Sequence, residues 1–151
     1  MLDLRIPPPL VALAAALAIW GIYRVFPPFS VSFMPDPIVA LPIAVLGVTI
    51  DVLALYRFWR LRTTVNPLAP EGTSALVTDG VYRLSRNPMY LGLFFLLLAW
   101  CIHLGDARGF AVLLMFVLYL NRFQIVPEEN VMAEKFGDRY SEYRATTRRW
   151  I

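Results

Sequence analysis

Thr78-Asp79-Gly80-Val81-Tyr82-Arg83-Leu84-Ser85-Arg86-Asn87-Pro88-Met89-Tyr90 is the only stretch of the chain that is densely polar, basic and aromatic at once. It runs directly into the apolar segment Met89–Leu104. Gly80 permits a tight turn, and Pro88 suits the first turn of the helix that follows. Tyr82, Arg83 and Arg86 supply hydrogen-bonding heads. Two readings are open. One is a basic juxtamembrane loop that only sets topology; the other is a ligand site held at a membrane face.

The remainder of the chain places this stretch. Of 151 residues, 58% are hydrophobic and only 17% charged, and the mean hydropathy is +0.58. That is too apolar for a soluble domain presenting a charged surface, so a membrane protein is expected. The net charge of +3 and pI near 9.3 come from basic residues that interrupt apolar segments without forming a stripe. Anionic lipid headgroups account for them, and nucleic acid does not. A single cysteine, Cys101, and a single histidine, His103, allow neither an intrachain disulfide nor a Cys/His metal cluster. Cys101 reads as a small core residue.

Four apolar spans are expected. The first runs from about Leu10 to Phe26, opened by Pro7-Pro8-Pro9 and closed by Pro27-Pro28. Ala16-Leu17-Ala18 resembles a cleavage site, but the apolar stretch before it is at the short end for a signal peptide, so a retained helix is the stronger reading. The second covers about Ile38 to Tyr56 and carries Asp51; the third is Met89 to Leu104; the fourth is about Phe110 to Val126. Gly105–Gly109 is a compact turn that makes spans three and four a tight hairpin. Past Glu128, apolar residues at Val131, Met132, Phe136, Tyr140 and Tyr143 follow helical spacing, with a break or kink at Gly137. The expected fold is thus an all-α membrane protein with about four transmembrane helices, the last two a short hairpin, and a cytoplasmic amphipathic C-terminal helix. Residues 1–151 form one domain: 1–62 give two N-terminal spans and 63–151 the core.

With both termini inside, twelve of the fourteen Lys and Arg residues lie on the cytoplasmic side, against two in the opposite orientation. The central stretch, the loop at Asn66-Pro67 and the tail then converge on one cytoplasmic face. Four groups could carry chemistry there. Tyr82, Arg83, Arg86, Asn87 and Tyr90 offer guanidinium forks beside stacking and hydrogen-bonding side chains. Glu128-Glu129, directly after Pro127, suits a helix N-terminus, or else accepts bonds from ribose hydroxyls or a cationic ligand. Asp51 is an ionisable group inside a span, hence a site candidate or a structural ion pair. Asn121, Arg122 and Gln124 end span four, where snorkelling alone explains Arg122.

Gly80-Val81-Tyr82-Arg83 through Arg86-Asn87-Pro88-Met89-Tyr90-Leu91-Gly92, followed by Pro127-Glu128-Glu129, Phe136-Gly137, Tyr140 and Tyr143, resembles the isoprenylcysteine carboxyl methyltransferase family. Phospholipid N-methyltransferases are similar in the same region. The resemblance covers about Thr63 to Trp150 and implies an integral-membrane enzyme using S-adenosylmethionine. It makes 63–151 a cofactor-binding methyltransferase core. Carried over, Tyr82, Arg83, Asn87, Pro88, Tyr90, Glu128 and Glu129 are the cofactor-binding candidates, and Arg86 and Arg122 the catalytic ones. Asp51 and Asn66 are the substrate-binding candidates, and no metal is implied. Asn87 stands where the eukaryotic enzymes carry His, and it cannot serve as a base near neutral pH.

The short chain is prokaryotic in style, which places it in the bacterial inner membrane with its site cytoplasmic. The acceptor is expected to be small or lipophilic, entering from the membrane lipids. A carboxylate or thiol is slightly favoured, because the sequence displays no clear base for an amine. The alternative is a non-catalytic scaffold or lipid-binding protein with the same fold; a small transporter subunit fits worse, since its site belongs near the midplane.

Overall fold

The computed structural model describes residues 6–26, 35–60 and 75–151. Asn66 lies outside the described residues. Helix α1 spans Pro8–Val25, α2 Pro37–Arg60, α3 Pro88–Leu104, α4 Gly109–Leu120, α5 Val126–Phe136 and α6 Asp138–Thr146. A short 3-10 turn, Gly80–Arg83, precedes α3, and a π turn, Asn121–Ile125, joins α4 to α5.

Helices α1 and α2 and the continuous helix Gly109–Phe136 are long and apolar enough to cross a membrane. Helix α3, of 17 residues, is shorter. It is apolar around its whole circumference, which suits a helix enclosed by others. It touches α1, α2 and α4 and forms the centre of the bundle. The outer helices turn large apolar residues outward: Leu10, Leu13, Leu17 and Trp20 on α1, Ile38, Leu41, Val45 and Val52 on α2, Leu114, Met115 and Leu118 on α4. An outward apolar belt on every peripheral helix is the surface of a protein embedded in lipid, and the chain is an integral membrane protein.

Between apolar helices in lipid, packing rests on small residues and sparse hydrogen bonds. A Cβ on Gly47 would stand 2.8 Å from the Gly92 carbonyl oxygen, so α2 and α3 meet backbone to backbone. One turn further along α2, the Asp51 carboxylate occupies the space that a Cβ on Gly92 would need. The Trp100 indole donates to the Ala16 carbonyl at 3.2 Å and ties α3 to α1. At the hairpin, Gly105 adopts a left-handed conformation with φ 67° and closes α3. Arg108 donates to the carboxylate of Asp106 there, holding that carboxyl below its usual range. This pairing is intact at neutral pH and is lost only as acid protonates Asp106 below its ordinary titration range.

The fourth span extends beyond the expected Phe110–Val126. It continues without a break through the π turn to Phe136, 28 residues in all. That is about 42 Å of helix, against about 30 Å of hydrocarbon, so its second half rises to the interface. The tail is therefore two elements: α5 continues the span, and α6 is the separate C-terminal helix. Gly137, at φ 52°, divides them. The reason is local. The Val126 amide bonds back to the Asn121 carbonyl, and Pro127 has no amide to satisfy, so the helix passes Pro127 instead of restarting there.

Gly47→Ala should cost about 1–3 kcal/mol by overpacking the α2–α3 contact. Gly21→Ala, where a Cβ meets nothing within 4 Å, should cost nothing. Thermal unfolding of the two purified variants in detergent compares them directly.

Candidate functional site

The start of α1, the second half of α2, the start of α3 and the whole of α5 and α6 meet at one end of the bundle. There they enclose a cavity of about 450 Å³, within the usual range for small-molecule sites. Its walls are mostly apolar and aromatic: Phe58, Leu76, Val77, Met89, Leu93, Met132, Tyr140 and Tyr143. Polar groups are few: Asp51, Tyr82, Arg86, Asn87, Tyr90, Glu128 and Glu129 line it. The first span contributes through Pro7, Pro8 and Pro9.

Helix geometry explains how two adjacent glutamates reach this cavity. Leu120 is fully buried in the core against α3. At about 100° per residue, an uninterrupted α-helix would place Glu129 about 180° from Leu120, facing away. The π turn absorbs one extra residue and rotates everything beyond it back by about 100°. Glu128 and Met132 thereby come within about 20° of the Leu120 line, and Glu129 within about 80°.

Each carboxylate has its own partners. Glu128 accepts from Tyr90 Oη at 2.5 Å and from Gln124 Nε2 at 2.7 Å. Glu129 accepts from Arg86 at 2.7 Å and from both Nε and Nη2 of Arg149, at 3.1 and 2.6 Å. Arg86 and Glu129 each leave only 9% of their side chains exposed. Neither glutamate caps a helix N-terminus, because no helix begins there.

Arg86 is also a fastener. It donates to the carbonyls of Thr147, at 2.5 Å, and Arg144, at 3.3 Å, while its backbone amide donates to the Arg148 carbonyl at 2.9 Å. Asn87 Nδ2 and Ser85 Oγ both donate to the Arg149 carbonyl, at 3.0 and 3.2 Å. The segment Thr147–Trp150 is thus strapped across the stretch Ser85–Asn87, and the Asn87 amide is committed to holding that strap. Tyr143 donates to the Tyr82 carbonyl at 2.6 Å, locking α6 to the 3-10 turn. Burial pushes the Tyr140 hydroxyl up to about 12 and raises those of Tyr82 and Tyr143 as well, so all three remain neutral donors. Gly80, at φ 61°, brings the same turn against the Arg57 guanidinium, which pairs with Asp79 at 2.8 Å.

Two buried polar atoms lack a partner among the described residues: Asp51 Oδ1 and Arg86 Nε. Both residues line the cavity.

Of the residues singled out in the sequence, Asp51, Tyr82, Arg86, Asn87, Pro88, Tyr90, Glu128 and Glu129 are brought together. Arg83 and Arg122 are not: both are exposed and away from the cavity, with the Arg122 guanidinium over the Phe123 ring at 5.3 Å. Two residues past Leu120, Arg122 lies about 200° round the helix from it, on the outer side. His103 stacks on Trp100 at 5.7 Å, at the end of α3 remote from the cavity. Gln124, grouped with Asn121 and Arg122 in the sequence, reaches the site through Glu128, whereas Arg149 escaped sequence reading, as did the aromatic wall of Tyr140 and Tyr143 as a site feature. The paired arginines Arg148-Arg149 in a tail ending in Trp150-Ile151 were the available signal for Arg149.

A family model described as phospholipid methyltransferase matches residues 36–139, more than half of the chain. An uncharacterized protein of Haemophilus influenzae is 43% identical over 63 residues, covering 42% of this chain and all of that protein. The protein-S-isoprenylcysteine O-methyltransferase of Schizosaccharomyces pombe is 40% identical over 72 residues, 46% of this chain but only 29% of the yeast enzyme. No solved structure matches. The polar cavity at the head of α3 and the match over residues 36–139 agree, and the chain belongs to the phospholipid methyltransferase family of membrane methyltransferases, with isoprenylcysteine methyltransferases among its relatives.

Proposed function

We propose that the chain transfers a methyl group from S-adenosylmethionine to a lipophilic acceptor, in the cavity at the head of α3. The observation that carries this is the set of buried polar groups converging on one otherwise apolar cavity. The donor set suits a sulfonium nucleoside. Phe58, Tyr82, Tyr140 and Tyr143 offer faces for a base and for a cation, Glu128 and Glu129 accept from ribose hydroxyls, and the unpartnered Nε of Arg86 suits a carboxylate. When bound, the cofactor supplies an electrophilic methyl on a good leaving group. The chain's own contribution is orientation and exclusion of water.

The whole chain acts as one domain in this reading. The core of 63–151 supplies the glutamates and the strap, and the spans within 1–62 close the cavity through Pro7–Pro9, Asp51, Leu55 and Phe58. The bias of Lys and Arg supports a cytoplasmic position for this face, in a bacterial inner membrane. Its head would receive the cofactor from water and its apolar flank the acceptor from lipid.

The sequence favoured a carboxylate or thiol acceptor for want of a visible base. Asp51 changes that balance. Its carboxylate lines the cavity with Oδ1 buried and without a partner among the described residues, and the guanidinium that lines the cavity, Arg86, is already assigned to the cofactor's carboxylate. Such a site favours a cationic acceptor. Asp51 would hold an acceptor's ammonium group and take its proton, freeing the nitrogen lone pair for the methyl group that a bound cofactor would supply with a neutral thioether as leaving group.

Calorimetric titration with S-adenosylhomocysteine should show binding by the wild type, weakened in Glu129→Gln. Labelled methyl transfer should then be compared on dodecylamine, dodecanoate and dodecanethiol. Transfer to the amine alone, lost in Asp51→Asn with cofactor affinity retained, is the expected pattern. Preference for the carboxylate or thiol would return the acceptor to the sequence-based expectation, and a folded protein that binds no cofactor would favour the scaffold reading. Arg86→Ala should be destabilised by about 3–5 kcal/mol, because buried Glu129 loses one of its two guanidinium partners and the strap carbonyls lose their donor. Arg149→Ala, whose side chain is 34% exposed, should cost far less. Thermal unfolding and protease sensitivity of the C-terminal strap report both.

A further inference from the structure

We propose that the π turn Asn121–Ile125 and the indole of Trp150 together set the register that aims Glu128 and Glu129 at the cavity, which makes Asn121 and Trp150 positioning residues of the site. The functional consequence rests on the cofactor reading above; the register itself does not.

The π turn is a rare interruption of α-helical bonding that the chain must stabilise, and such turns frequently stand at functional sites. Two features favour it. Pro127 removes an amide, and in a continuous α-helix its ring would clash with the carbonyl four residues back. At the other end of the turn, Trp150 Nε1 donates to Asn121 Oδ1 at 3.1 Å, while the indole packs against Phe94 of α3 with ring centres 6.4 Å apart. The clamp is anchored to the central helix, so it fixes the turn relative to the cavity wall. The neighbouring strap residue, Arg149, grips Glu129. Consecutive residues of one segment thus hold the turn and receive the carboxylate that the turn delivers. Docking of the strap and orientation of the glutamates are one event.

If the turn relaxed to α geometry, Glu129 would swing by about 100° to the far side of the helix and Glu128 would take roughly its place. The test replaces the clamp without touching a cavity residue. In Asn121→Leu and Trp150→Phe the dissociation constant for S-adenosylhomocysteine should rise about fivefold or more, the scale of one lost hydrogen bond. Asn121→Asp, which keeps the acceptor oxygen, should restore it. Glu129→Gln should add little further loss in the Asn121→Leu background, because a carboxylate already turned away has nothing to contribute. A cofactor-free readout accompanies these. Spin labels at Asn130→Cys and Leu84→Cys, both exposed positions, in a Cys101→Ala background, should report a changed distance in Asn121→Leu. Unchanged distances, or fully additive losses with Glu129→Gln, overturn the proposal even where stability falls. A wild type that binds no cofactor removes the cofactor reading instead, and the spin-label distances alone then decide the register.

Discussion

Glu129 is the charge on which the candidate site depends. It joins three segments distant in sequence: Arg86 ahead of α3, its own position on α5, and Arg149 near the chain end. Burying an ion pair is costly, and the cost is recovered only when geometry is good and the remaining lone pairs are occupied. Here both oxygens are occupied, and Arg86 spends its other terminal nitrogen, Nη1, on carbonyls of the strap, leaving only Nε without a partner among the described residues. The consequence is specificity of assembly. The strap cannot dock unless α5 presents Glu129, and α5 cannot present it unless the π turn is formed.

The membrane shapes what the rest of the bundle can do for this network. Lipid-facing helices gain nothing from mutual hydrophobic burial, so α2 and α3 rely on backbone contact at Gly47 and Gly92. That contact has a chemical by-product. Gly92 leaves room for a side chain from α2, and the chain fills it with a carboxylate, Asp51, where an apolar residue would pack equally well. A carboxylate at the cavity wall with Oδ1 buried and without a partner among the described residues is a costly choice for structure alone, which is why it weighs in the acceptor argument.

Much of this was legible beforehand. Apolar runs bounded by Pro and Gly gave the helices, Gly105 the hairpin and Gly137 the break before α6. The stretch Tyr82–Tyr90 gave one wall of the cavity. What the sequence hid follows from a single residue of helical register. Pro127-Glu128-Glu129 has the look of a helix start, and only the backbone bond from Val126 to Asn121 shows that the helix never stopped. Reading a fresh helix there gave Glu128 and Glu129 a capping alternative they do not have; Arg122, carried over from the resemblance, lies away from the cavity. Arg149 was hidden for another reason: it lies in the tail, where periodicity carries no information about which loop the chain returns to.

The same register argument explains why the site sits where the bundle ends. A central helix that is apolar on almost every face carries few polar groups along its length; those that reach the site stand in its first turn, as Tyr90 does, or just before it. Arg86 and Asn87 stand immediately ahead of Pro88, where α3 begins. Polar partners must then come to that level from elsewhere, and the continuous helix of α4 and α5, longer than the hydrocarbon is thick, is the element that reaches it. Its length brings glutamates to the right height, and its extra residue brings them to the right side. Height and rotation are independent in a helix, and this chain sets the first by length and the second by one π turn.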